Sequence, residues 1–294
     1  MRTLTSGRRS VAGGALSAII WTALAVAVPA QQPAAQQAAA QQPAAQQKAS
    51  PPDFSSDRVG WIATSPDFVA VPGGPSPSRS DPAHPYVPNN AGGQPTFRVA
   101  DLSNPNLKPW AREVMKRENE KVLSGGIGFT ARSSCRPAGV PGFMMFIIEP
   151  IFFVQAPKEV LMIHSGNEEV RRIHLDVPHS ANPKPSWYGE SVGHYEGDTL
   201  VVDTTGLNDK TFIDNYRTPH TEKLHVQERW KLINDGNMLE VNIRVEDPDT
   251  FNEPWSTVQR YRRVQPRELG VEACAENNSG LFDYHIPVAD KPDF

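Results

Sequence analysis

The chain has 294 residues, a formal net charge of −4 and two cysteines. Near-balanced charge with no basic run excludes the electrostatic footprint of a nucleic-acid binder. Neither cysteine belongs to a CxxC or CxH cluster, which argues against a small zinc-held fold.

At the N-terminus, Arg2, Arg8 and Arg9 precede an apolar run over 11–28, and Val28-Pro29-Ala30 is a small-residue cleavage pattern. Residues 1–30 therefore read as a secretory signal peptide. The apolar run is nearly long enough to span a bilayer, so an uncleaved anchor is the alternative. Cleavage leaves no stable membrane span and places the protein in the periplasm or outside the cell. Residues 31–52 are Ala, Gln and Pro with no aromatic to bury, the composition of a disordered tether. In an exported chain an even cysteine count favours one disulfide, Cys135 with Cys274.

Residues 53–146 are rich in Pro, Gly, Ser and Asn with scattered aromatics (Trp61, Phe68, Tyr86, Phe97). Such text predicts an irregular wrap around a core, without central strands. Within it, 108–123 predicts one surface helix, with Pro109 in the first turn, Trp110 and Val114 on a docking stripe, and Ser124-Gly125-Gly126 as its end.

From 147 to 278 strand follows strand: 151–155, 159–165, 169–175, 190–196, 198–205, 224–233, 238–247 and 255–264. No long helical run interrupts them. The pattern predicts an all-β fold, an antiparallel up-and-down barrel of about eight strands closed to remove its edges. Residues 279–294 form a C-terminal tail. Around Asp235-Gly236, the strongest short hairpin signal, Leu232 faces Leu239, Trp230 faces Val241, Glu228 faces Ile243 and Val226 faces Val245. The other face pairs Lys231 with Glu240, Arg229 with Asn242, Gln227 with Arg244 and His225 with Glu246. One face is thus apolar except for Glu228, and the other is solvated. A second hairpin turning at Glu196-Gly197 sets Tyr195 opposite Asp198, Gly193 opposite Leu200 and Ser191 opposite Val202. Gly189, Ser191 and Gly193 then leave space above the sheet, for Trp187 or for a ligand.

The strings CRPAGVPG (135–142), RRIHLDVPH (171–179), WYGESVGHYEGDTLVVDTTGLNDKT (187–211), PHTEKLHVQER (219–229), EDPDTFNEPW (246–255) and CAENN (274–278) resemble a group of exported bacterial proteins. The usual text of that group is close to WxGxSxGxWEGDTLVVDTxGFND followed by HPHTxxLHVxERF. The resemblance implies export and a β-rich, lipocalin-like shape, and no particular reaction. The chain departs from the pattern at Val177, where Gly-Arg is usual, at Tyr195 in place of Trp, and at Gly142 in place of Arg. The first and third departures remove a cation that could anchor a ligand.

Four sets of residues could carry chemistry. Glu228, a carboxylate on an apolar face, is expected to titrate high and serve as a general acid or base; its structural alternative is a buried pair with Arg172 or Arg263. Asp176 with His179, in a Pro-rich loop at a strand end, could form an oriented base. GESVG (189–193) matches the GxSxG of serine hydrolases, but a hairpin follows it rather than a helix. His220, His225 and Glu228 have zinc-ligand chemistry, yet positions 225 and 228 of one straight strand point to opposite faces, so no metal site is predicted. Trp187, Ser191, Asp203, Asn208, His220 and Trp255 complete the expected lining of a small-molecule cavity. The reading is an acid–base lyase, isomerase or hydrolase acting on an apolar or aromatic substrate without an organic cofactor. A ligand-binding protein without turnover, or a structural or assembly factor, is the alternative.

Overall fold

The computed structural model describes residues 50–55, 59–88, 97–129, 135–166 and 169–265. The signal peptide, nearly all of the tether, Cys274 and the C-terminal tail lie outside them, so the disulfide pairing stays an expectation.

Among the described residues, ten strands run β1 Gly60–Ala63, β2 Val69–Ala70, β3 Ile151–Ala156, β4 Glu159–His164, β5 Glu169–Leu175, β6 Glu190–Glu196, β7 Thr199–Thr205, β8 His225–Ile233, β9 Met238–Glu246 and β10 Trp255–Val264. All eight strands expected from the sequence are present. The ninth wall strand, β1, comes from the segment expected to hold none. It pairs antiparallel with β3 on one side and β10 on the other, which closes the barrel. Trp61 on β1 points into the barrel, almost fully buried, and its Nε1–H donates to the Phe54 carbonyl at 2.9 Å. Short β2 continues along the same edge of β10.

Nine strands cannot close with every neighbouring pair antiparallel, because with strict alternation the first and last would run the same way. One parallel pair, β5 with β6, resolves the parity. The Pro-rich segment 176–189 makes that return, and a parallel bridge from Ser186 to Leu207 ties it to the chain beyond β7. Its last residue, Gly189, has φ +63°, and a Cβ there would sit 2.3 Å from the Thr205 carbonyl oxygen. Gly189→Ala is therefore expected to cost about 1–3 kcal/mol, read as a lower urea midpoint. An unchanged midpoint would show that this crossover is not held as described.

The Asp235-Gly236 hairpin has the register read from the sequence at all eight named pairs. The other hairpin differs by two residues: Ser191 faces Thr204, Gly193 faces Val202 and Tyr195 faces Leu200. Its loop is Gly197-Asp198, with positive φ at Gly197 alone, as a turn with glycine in the first loop position requires. A shift of two preserves the faces, so Ser191 still points inward.

The one α-helix among the described residues, α1 Pro109–Leu123, matches its expected span. Its buried stripe is Ala111, Met115 and Asn119 rather than Trp110 and Val114. Asn119 grips both main-chain groups of Ala100 at 2.9 Å and so pins the N-terminal wrap to the helix. Trp110 stays 39% exposed. The barrel interior is filled: Trp61, Trp230 and Tyr261 pack there with Phe143 and Met144 of the 3-10 turn Gly142–Met145. Tyr261 donates its hydroxyl to the Met144 carbonyl at 2.9 Å, which seats that turn in the core.

Candidate functional site: two polar clusters on opposite faces of one wall

Alternation along β8 sends Val226, Glu228 and Trp230 inward and His225, Gln227 and Arg229 outward. The wall thus carries one polar cluster on each face.

Inside, Glu228 is fully buried and Arg171 is 1% exposed. The guanidinium grips the carboxylate with both forks, Nη1 to Oε2 at 2.9 Å and Nη2 to Oε1 at 2.7 Å. Trp230 Nε1 donates to the same Oε2 at 2.8 Å. Arg171 also donates to Ser191 Oγ at 3.0 Å and to Thr204 Oγ1 at 2.8 Å. Arg171 thus sits against Ser191, while Gly189 is closed in by the Thr205 carbonyl and Leu207 and Gly193 by Ile173 and Leu175, so protein rather than Trp187 or a ligand fills this space; Trp187 is only half-buried. The partner of Glu228 is neither of the arginines named from the sequence. Arg172 faces outward against Glu159 at 3.2 Å, and Arg263 is exposed. A carboxylate held by three donors in a packed interior is a structural group, which corrects the view of Glu228 as an accessible acid or base.

Outside, Asp203 on β7 lies between two imidazoles. Its Oδ1 is 2.8 Å from His179 Nε2 and its Oδ2 is 2.9 Å from His225 Nε2. Gln227 Nε2 donates to Oδ2 at 2.9 Å. Burial alone would push this carboxyl up, but hydrogen bonds from His225, Gln227 and His179 outweigh it and hold Asp203 well below the usual carboxylate range. The hydrogen bond to Asp203 is the main cause of a raised pKa at His225. An ionised Asp203 can only accept, so His225 Nε2 carries a proton, and Nδ1 is the atom left to exchange one. Nδ1 meets no hydrogen-bond partner among the described residues, and about a third of the side chain is exposed (32%).

His179 Nδ1 lies 3.1 Å from Glu190 Oε1, and Ser180 binds the same carboxylate through its N–H at 2.6 Å and its hydroxyl at 2.5 Å. The Ser180 hydroxyl is the largest reason that Glu190 titrates low. These contacts clamp the Pro-rich crossover onto the outer face of β6 and β7.

A groove of about 360 Å³ begins at Asp203 and Gln227 and runs across the strands. Register places Asp203, Gln227, Arg244 and Ser256 in one row across β7 to β10, with Val201, Arg229 and Asn242 in the next. Val71, just after β2, walls the far end.

The remaining expected site residues lie elsewhere. Asp176 is exposed at φ +57°, and its N–H bonds the Gly193 carbonyl at 2.8 Å; it begins the crossover, while His179 turns to Asp203 and Glu190. Asn208 accepts the Lys210 N–H at 3.1 Å and shapes a turn. His220 is buried, with its pKa lowered by desolvation. Its Nδ1–H donates to the Thr221 carbonyl at 3.1 Å, and its Nε2 accepts from the Thr211 hydroxyl at 2.8 Å. Trp255 is a core residue against Phe68 and Phe251. The zinc-type set is dispersed, with His220 in a buried loop, His225 outside and Glu228 inside. The hydrolase order is likewise not assembled, because Ser191 faces in while Asp203 and His225 meet on the opposite face.

Arg171 and Glu190 are the charged members of these clusters that the sequence reading missed, along with the hydroxyls of Thr204 and Ser180. Arg171 shares parity with inward Ile173 and Leu175, a signal that was readable. Glu190 opens β6 and carried none. No family model matches the chain, and no curated protein matches its sequence.

Proposed function

We propose that this protein is an exported acid–base enzyme of the lyase, isomerase or hydrolase kind, working on a small molecule held on the outer face of the barrel wall. The observation that carries this reading is His225, oriented through Nε2 by Asp203, which itself lines the groove, with Nδ1 unengaged among the described residues. An imidazole with a raised pKa and one open nitrogen can deliver a proton and take it back. The signal-like N-terminus supports action outside the cytoplasm, and the Cys135–Cys274 disulfide belongs to the same reading.

Incubating the purified protein with a small-molecule extract and comparing mass spectra over time tests the proposal. A compound consumed by the wild type and left untouched by His225→Gln is the expected result. A loss of turnover of about 10²–10⁴-fold is the usual effect of removing a general acid or base. If His225→Gln consumes the same compound at the same rate, the assignment is wrong.

A further inference from the structure

The groove beside His225 has a chemistry of its own. Arg229 on β8 and Arg244 on β9 both face outward and stand diagonally, since Arg229 faces Asn242 and Arg244 faces Gln227. Diagonal neighbours on adjacent strands have Cβ atoms ~7 Å apart, so two long guanidinium side chains there can converge on one ligand group. Arg229 holds Glu196 at 2.7 Å and Arg244 holds Glu246 at 3.2 Å, and all four side chains are about half exposed. Exposed pairs of this kind contribute little net free energy and exchange partners readily. The guanidinium fork matches the paired oxygens of a carboxylate or phosphate. Asn242 and Gln227 add neutral amides between the two arginines, and Val201 and Val71 supply apolar wall. His225 is in turn diagonal to Arg244, and the two charges influence each other.

We infer that the groove takes a small organic anion, with its anionic head shared by Arg229 and Arg244, its uncharged body against Val201, and its reacting position turned toward His225. This names the substrate class for the function proposed above and rests on the outer face being the working surface. Three neighbouring carboxylates, Asp203, Glu196 and Glu246, set the limit on charge: a ligand with one anionic head fits, whereas a polyanion meets them.

Calorimetric titration of the full chain with 3-phenylpropanoate, phenyl phosphate and neutral 3-phenylpropanamide tests the inference. Saturable binding of one or both anions is expected, with the amide about tenfold weaker or more. The two anions distinguish a carboxylate head from a phosphate head. The Arg229→Gln/Arg244→Gln double variant, checked for an unchanged thermal transition, should lose about tenfold or more of the anion affinity and none of the amide's. Amide binding equal to that of the anions, absence of anion binding at millimolar concentration, or full affinity in the double variant would each overturn it. His225→Gln keeps both arginines and is expected to retain anion binding. The anion site therefore stands or falls separately from turnover.

Discussion

Replacing Arg171 by Ala is expected to destabilise the protein by about 3–5 kcal/mol, because it strands the Glu228 carboxylate in a packed interior. Glu228 is 0% exposed and receives two of its three hydrogen bonds from this guanidinium. Trp230 alone cannot replace a cation, and Ser191 and Thr204 lose a donor as well. The double variant Arg171→Met/Glu228→Leu removes both charges at similar volume and should be less destabilised than Arg171→Ala. It still leaves the Trp230 Nε1–H without an acceptor, a penalty of about 1–3 kcal/mol. Urea unfolding of the three proteins measures the order. A loss below about 1 kcal/mol for Arg171→Ala would mean that the pair is not enclosed as described. The same geometry makes Glu228→Gln a folding variant: it leaves Arg171 charged and buried opposite a neutral amide.

Asp203→Asn is expected to reduce turnover by about 10²–10⁴-fold while costing little stability, since it uncouples His225 from its orienting carboxylate. The pH dependence of stability supplies an independent signature. The folded pKa of His225 is raised, so the stability it gains from Asp203 is fully present below its unfolded value, near 6.5. That stability is lost as pH rises through the folded value. Asp203 is shifted down, so its own contribution is present above about 3.9 and is lost only as pH falls through its low folded value. The gap between wild type and Asp203→Asn should therefore be widest between about pH 4 and 6.5 and should narrow in alkali. With both side chains about a third exposed, solvent screening limits the gap to about 1 kcal/mol or less. A gap that widens toward pH 9 would contradict the pairing.

The barrel wall was legible wherever local chemistry and alternation agreed. Asn234, Asp235 and Gly236 all take positive φ, and Leu232, Trp230, Glu228 and Val226 alternate inward, so turn and pattern fix one register. At the other hairpin both Glu196-Gly197 and Gly197-Asp198 are plausible loops in the sequence, and only the wall decides between them. β1 was hidden because four residues in Pro- and Gly-rich text owe their strand state to β3 and β10, neighbours 90 to 200 positions away. Placing Glu228 inside was right, but the identity of its partner turned on reading parity through Ile173 and Leu175. The meeting of His179, Asp203 and His225 could not be read at all. It depends on the 176–189 crossover folding back over the sheet, which no local pattern encodes.

The most direct measurement is the pH titration of the His225 ring by NMR in wild type and in Asp203→Asn. The account predicts a wild-type midpoint above about 6.5 that falls when the carboxylate is neutralised. A midpoint at or below that value, unmoved by Asp203→Asn, would contradict it.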